Sequence, residues 1–177
     1  KSPIPTTFTY EDTGDPVLLH NGAVSYRAAD LVIPGRGIHF EFTRRYNSKR
    51  ADEDGVMGWG WEHAYEQELR FVGVASSAKS ATLLNGNNRV DRYERTSSVL
   101  PFEGSSGLYT RLYEDNGLWV LRARHGARTF FELVPGRADR ARVVQVQDAS
   151  GNFLSIDYCD APHTYQGRIE KITDTFG

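Results

Sequence analysis

The sequence predicts an all-β fold of many short antiparallel strands joined as hairpins. Three observations carry this expectation. Apolar and polar residues alternate with a period of two in segment after segment, turn-forming residues separate those segments, and one hairpin is written twice near the end. The copies are Ala141-Arg142-Val143-x-x-Val146-x-Asp148-x-x-Gly151 and Arg168-Ile169-x-x-Ile172-x-Asp174-x-x-Gly177, with Gly167 in the place of Ala141. Arg142 and Arg168, Asp148 and Asp174, and Gly151 and Gly177 are each 26 positions apart, so the register holds without a gap. A unit of that period cannot bury its apolar face alone and needs a neighbour to stack on. The aromatic complement, Phe 9, Tyr 9 and Trp 3, suits pleated sheet, and no window of a dozen residues has convincing helical periodicity.

The chain divides into a polar, proline-bearing lead over 1–13, a leading unit over 14–75, a hairpin meander over 76–139, and the first repeat with the start of the next over 140–177. In the leading unit, Ile38, Phe40, Phe42, Arg44 and Tyr46 fall on one strand face and His39, Glu41, Thr43 and Arg45 on the other. Pro34-Gly35 is the turn that brings this strand back against residues 23–33, proline fixing φ and glycine free to take φ > 0. Ala51 to Met57 is an acidic loop. His63, Tyr65, Gln67, Leu69 and Phe71 then alternate with Glu62, Ala64, Glu66, Glu68 and Arg70 as one half-buried strand.

In the meander, Asn85-Gly86-Asn87-Asn88 is a hairpin turn between Thr82-Leu84 and Arg89-Tyr93. Pro101 to Gly107 is expected as a flexible connection, and Leu118–Ala123 pairs with Thr129–Leu133 through His125-Gly126. In the repeat, Val144 and Val146 lead into Ala149-Ser150-Gly151-Asn152, after which Leu154, Ile156 and Tyr158 alternate with Phe153, Ser155 and Asp157.

Composition excludes several function classes. Lys+Arg 21 against Asp+Glu 23 gives a formal charge of -2, which provides no electrostatic footprint for nucleic acid or an anionic membrane. Cys159 is the single cysteine, so no disulfide closes within the chain. No apolar run approaches the ~18 residues of a spanning helix. The first residues carry no signal-peptide stretch, which places any export signal upstream.

The leading unit adds a second signal. Gly14-Asp15-Pro16-Val17 is followed by Asn21-Gly22, by Asp30-Leu31-Val32-Ile33-Pro34-Gly35-Arg36-Gly37, by Arg44-Arg45-Tyr46-Asn47-Ser48, and by Gly58-Trp59-Gly60-Trp61-Glu62-His63-Ala64-Tyr65. This succession resembles the domain that precedes the tyrosine-aspartate (YD) repeats of bacterial Rhs proteins, and the Gly167-Arg168-Ile169 ending resembles those repeats beginning. The resemblance runs from Gly14 to Gly177. It departs at Ile156-Asp157-Tyr158-Cys159-Asp160, where only Tyr158 matches the aromatic of the usual Tyr-x-Tyr-Asp and the aspartate is displaced by one. The resemblance implies an architectural role. Arrays of such hairpins wind as a spiral β-sheet into a hollow shell, which in polymorphic toxins encloses a toxin domain. It further implies a secreted or cell-surface location in a bacterium, and a partner in the remainder of a longer repeat chain. The motif residues it singles out are Asp30, Pro34, Gly35, Arg36, Gly37, Arg44, Tyr46, Gly58, Gly60, Trp61, His63 and Tyr65 in the leading unit. In the repeat they are Asp148, Gly151, Tyr158, Gly167, Arg168, Asp174 and Gly177.

Residues that could carry chemistry have blander readings. Period-two geometry places Glu62, Glu66 and Glu68 on one solvated face and His63 on the other, so no acid–base group converges. Trp59 and Trp61 could form a sugar-stacking platform, but the glycines at 58 and 60 favour rings tucked against the sheet. Asp52-Glu53-Asp54-Gly55 lacks the ligand spacing of a calcium loop. His20, His39, His125 and His163 are scattered, Cys159 reads as strand-end burial, and no glycine-rich loop precedes a helix. Arg44, a charge on an apolar face, calls for Asp30 or the Trp61 ring as partner.

The expectation is a non-enzymatic protein with no catalytic, cofactor or metal residues. Its rivals are a self-assembling extracellular fibre or surface subunit and a carbohydrate-binding β module, with a hydrolase the least supported. The strand around Arg168 to Asp174 is expected to present an open edge that pairs with the next repeat or with another copy. If the 177 residues are the whole molecule, that edge should drive head-to-tail self-association.

Overall fold

The computed structural model describes residues 17–18, 22–35, 37–86, 89–159 and 167–177. The 1–13 lead, Gly14 to Pro16, His20, Asn21, Arg36, Asn87, Asn88, Asp160 and His163 lie outside the described residues.

The protein is all-β. The leading strands are β1 (Val17–Leu18), β2 (Ala23–Ile33), β3 (Phe40–Asn47), β4 (Asp54–Gly55), β5 (Gly58–Trp59) and β6 (Trp61–His63). They are followed by β7 (Gln67–Phe71), β8 (Ser80–Asn85), β9 (Val90–Glu94), β10 (Phe102–Gly104), β11 (Thr110–Asp115), β12 (Leu118–Ala123) and β13 (Arg128–Leu133). The chain finishes with β14 (Arg140–Gln147), β15 (Phe153–Tyr158) and β16 (Ile169–Asp174). The one helical turn described is a 3-10 turn at Ser48–Arg50, capped by the Asn47 side chain accepting from Lys49 N. Among the described residues no helix is long and apolar enough to cross a membrane.

Strands β1, β2, β3 and β6 form a four-stranded antiparallel sheet. The second sheet closes on itself. Neighbours run from β7 through β8, β9, β10, β11, β12 and β13 to β14, and β14 returns to β7 through Arg140↔Arg70, Ala141↔Leu69 and Arg142↔Glu68. Closure removes the exposed strand edges that an open sheet must protect. The barrel interior is set by alternation: Leu69, Tyr93, Phe102, Leu112, Phe131, Ala141 and Val143 are each 1 % exposed or less.

Strand β14 is also a fork. One edge pairs with β13 along its length, while the other pairs first with β7 at 140–142 and then with β15 at 145–147. Hairpin β15–β16 therefore branches from the barrel wall, and among the described residues no strand pairs with the far edge of β16.

The sequence repeat is a backbone repeat. The register of β13–β14 skips Val144, and that of β15–β16 skips Glu170, its equivalent 26 positions on. Ser150 N donates to Asp148 Oδ1 at 2.8 Å and Phe176 N donates to Asp174 Oδ1 at 3.0 Å. Gly151 and Gly177 follow with φ of 92° and 93°, the left-handed region that glycine takes without steric cost. The repeat also reaches further back than the sequence suggests. Thr129 faces Val146 as Ile156 faces Ile172, so β13 is the structural counterpart of β15.

Three expectations need correction. Pro101 to Gly107 is no flexible connection: it contains β10, and Phe102 is fully buried. The proline stands before the strand, and the small residues after it form the turn into β11, with Gly107 at φ 90°. The strand expected over 62–71 is two strands in different sheets, broken by a turn in which Glu66 N donates to His63 O at 2.9 Å. Alternation fails there, because Glu62, His63 and Tyr65 are all buried. Gly35 is not among the positive-φ residues; a Cβ there would meet Ile38 O at 2.6 Å, so close backbone approach is what requires glycine.

Candidate functional site

An apolar cleft of about 890 Å³ opens where hairpin β15–β16 leaves the barrel and the leading sheet stands opposite. Leu31 and Ile33 of β2 and Phe40 and Phe42 of β3 line one wall, Leu154 and Tyr158 of β15 and the length of β16 the other. Leu31 and Ile33 are about half exposed, at 50 % and 52 %. A contiguous apolar surface of this kind marks an interaction site more often than a solvent face.

The turn at 64–66 lines the cleft. Tyr65 stacks on Phe40 at 5.4 Å between centroids, and its hydroxyl oxygen accepts from Glu41 N at 3.2 Å. His63 stacks on Phe42 at 5.2 Å, and its Nδ1 accepts from Tyr65 N at 3.2 Å. Burial penalises its charged form and pushes its pKa down to about 4, so the ring is neutral at pH 7. Burial, with Glu62 adding its charge, raises the Glu66 pKa. Glu62 is itself buried and ion-paired to Arg50, which also holds Glu53 at 2.9 Å. The expected solvated row of glutamates is therefore absent. The turn folds Glu62 and Glu66 inward, and the backbone occupies Nδ1 of the histidine.

At the fork, Tyr158 holds the branch. Its hydroxyl donates to Val143 O at 2.7 Å, where β14 passes from pairing with β7 to pairing with β15. The Arg142 guanidinium lies 4.1 Å from the Tyr158 ring, and its Nε and Nη2 donate to Glu132 Oε1 at 2.9 and 2.7 Å. Burial raises the Tyr158 pKa strongly. Arg142 thus ties β13, β14 and β15 together. Arg168, its repeat equivalent, and Gly167 line the cleft.

The motif residues of the leading unit form a separate group. Arg44 Nε lies 3.1 Å from Asp30 Oδ2, an ion pair without hydrogen-bond alignment, and the guanidinium sits 5.5 Å from the Trp61 ring. Both expected partners are in place. Tyr46 and Tyr26 pack against Trp61 at 5.4 and 6.1 Å. Gly60, at φ 72°, lets the Tyr46 ring approach: a Cβ would stand 2.9 Å from it. Gly58, at φ 101°, serves the tight β4–β5 hairpin, which projects Trp59 to 60 % exposure. The two tryptophans, expected to pack alike, do not. Trp59→Ala should change stability by no more than about 0.5 kcal/mol. Trp61→Ala should cost about 2 kcal/mol, below the ~3–5 of a fully buried ring, and urea denaturation separates the two.

The structure brings the leading loop and the repeat turn together. A Cβ on Gly37 would lie 2.4 Å from Asn152 Cβ, so the Pro34-Gly35 loop rests on the turn that Asp148 organises. There Asn152 donates to Asp148 twice, N to Oδ1 at 2.9 Å and Nδ2 to Oδ2 at 2.7 Å, which lowers the Asp148 pKa. Gly167, at φ 79°, donates its N–H to Cys159 O across the base of hairpin β15–β16. Cys159 itself is half-buried.

Arg95 is a structural anchor that no sequence pattern marks. Buried in the barrel rim, it donates to Ala75 O, Ser76 O, Ala78 O and Ser98 O and lies 4.2 Å from the Phe102 ring. Nothing local announces this, since three of the acceptors lie 17 to 20 residues away.

Residues 14–93 match a family described as Domain of unknown function (DUF6531). The matched region takes in the leading sheet, β7, β8 and most of β9, and so spans the junction between sheet and barrel. No curated protein matches the chain.

Proposed function

We propose that this chain is a non-enzymatic, architectural element of an Rhs/YD-repeat protein, which starts or caps a β-spiral shell or scaffold on a bacterial surface or in a secreted product. The single observation that carries this reading is the equivalence of hairpins β13–β14 and β15–β16, which share the bulge, the aspartate-held turn and the left-handed glycine. A barrel whose wall emits a hairpin of the same kind as its own last one is a starting block for an array. The leading sheet supports this role by resting on the repeat turn and supplying one wall of the apolar cleft. Intact-mass spectrometry of the native protein, with peptide mapping, tests the reading. A polypeptide carrying further Gly-Arg-Ile-type repeats supports it, and a native chain with none opposes it.

A second reading rests on Trp59, whose exposed ring offers a face to a sugar. Retention on a glycan array, lost in Trp59→Ala with stability unchanged, would favour a carbohydrate-binding module.

A further inference from the structure

The bonds that seat β15 on β14 specify what belongs on β16. In β14, Gln145, Val146 and Gln147 face Ser155, Leu154 and Phe153 of β15. Tyr158, the sixth residue of β15, returns to stack on Arg142 and to donate to Val143 O. Moved along by the repeat of 26, those positions are Lys171, Ile172 and Thr173 on the edge, Arg168 for the guanidinium and Ile169 for the carbonyl. All five residues line the apolar cleft. The turn that would deliver such a strand is already made: Gly177 N donates to Asp174 O at 3.2 Å as Gly151 N donates to Asp148 O at 3.3 Å.

We infer that the β16 edge is a binding site for one antiparallel strand of the β15 type, entering from the Asp174–Gly177 turn, with a tyrosine at its sixth position. That tyrosine stacks on the Arg168 guanidinium and donates its hydroxyl to Ile169 O. The second and fourth residues of the strand are apolar and fill the cleft against Leu31, Ile33 and Phe42, which covers the exposed Leu31 and Ile33 side chains. Arg168 and the incoming tyrosine together fix register, because a slip of one residue turns the ring to the opposite face. This inference rests on the architectural reading and adds to it the chemistry of the incoming strand.

The test appends a copy of residues 152–158, Asn-Phe-Leu-Ser-Ile-Asp-Tyr, after Gly177. Amide exchange at Ile172 and Asp174, whose N–H groups face the open edge as those of Val146 and Asp148 face β15, should slow by roughly 100-fold relative to the unextended chain. Replacing the appended tyrosine by alanine, or Arg168 by methionine, should cost roughly 10-fold of that protection, the scale of one ring–cation contact plus one hydrogen bond. Arg168→Met in the unextended chain controls for stability. Protection that ignores both replacements overturns the tyrosine–arginine seat while leaving the array reading intact. An extended chain whose β16 exchanges as before, with the barrel amides still protected, overturns the strand site altogether. So does a dimer of the unextended chain through β16 that the extension fails to dissociate.

Discussion

Arg95→Ala is expected to lower the unfolding free energy by about 4 kcal/mol, the range for stripping the partner from buried, charge-assisted hydrogen bonds. The guanidinium serves four carbonyls at 2.6 to 3.1 Å and lies against Phe102, with Trp119 at 5.7 Å. Three of those carbonyls belong to the 75–78 loop between β7 and β8, so this residue fastens the loop to the barrel rim. Lysine should restore little, because a single ammonium group cannot span acceptors that a planar fork reaches together. Urea denaturation followed by tryptophan fluorescence reads both variants. A loss under about 1 kcal/mol, the scale of a single ordinary hydrogen bond, would mean the carbonyls find water instead.

Acidification from pH 6.5 to about 4 should cost the fold about 3 kcal/mol through His63 alone, at 1.36 kcal/mol per unit of pKa difference. The sign follows from proton binding. With the folded pKa at about 4 and the unfolded near 6.5, the unfolded chain binds the extra proton throughout that window. Stability from this group is therefore complete above pH 6.5 and is lost as pH falls through the window. Glu66 acts in the opposite sense. Its raised pKa means that the charged form is penalised in the fold, and that penalty lifts as pH falls. A stability–pH profile of His63→Gln should be flatter than that of the parent, and one of Glu66→Gln steeper. A parent profile flat between pH 7 and 4, with the His63→Gln profile superimposed on it, would show that the imidazole is solvated.

Much of the strand plan is legible in the sequence because local chemistry dictates it. The β12–β13 hairpin follows from alternation on either side of His125-Gly126, with Gly126 at φ 99°. The β14–β15 hairpin follows from Asp148 to Asn152, where the aspartate can bond the backbone it precedes. What alternation cannot report is which sheet a strand joins. His63 and Leu69 keep the same period across a turn, yet one pairs with β3 and the other with β8 and β14. Barrel closure has no local signature, since Leu69 meets Ala141 across some seventy residues of chain. The site was half legible. Arg168 stands out through the repeat, Tyr158 through the resemblance to the YD motif, and the Asp30–Arg44 pair through a charge on an apolar face. The cleft was not legible, because it forms only where the hairpin diverges from β14 opposite β2 and β3.

The central claim, that this barrel starts a hairpin array, is tested most directly by a cryo-electron-microscopy map of the native protein at side-chain resolution. The account predicts a strand antiparallel to β16, in register with Lys171, Ile172 and Thr173, and with the cleft between β2–β3 and β16 filled by its side chains. A map in which the β16 edge faces solvent, or is covered by helix or irregular chain, would contradict it.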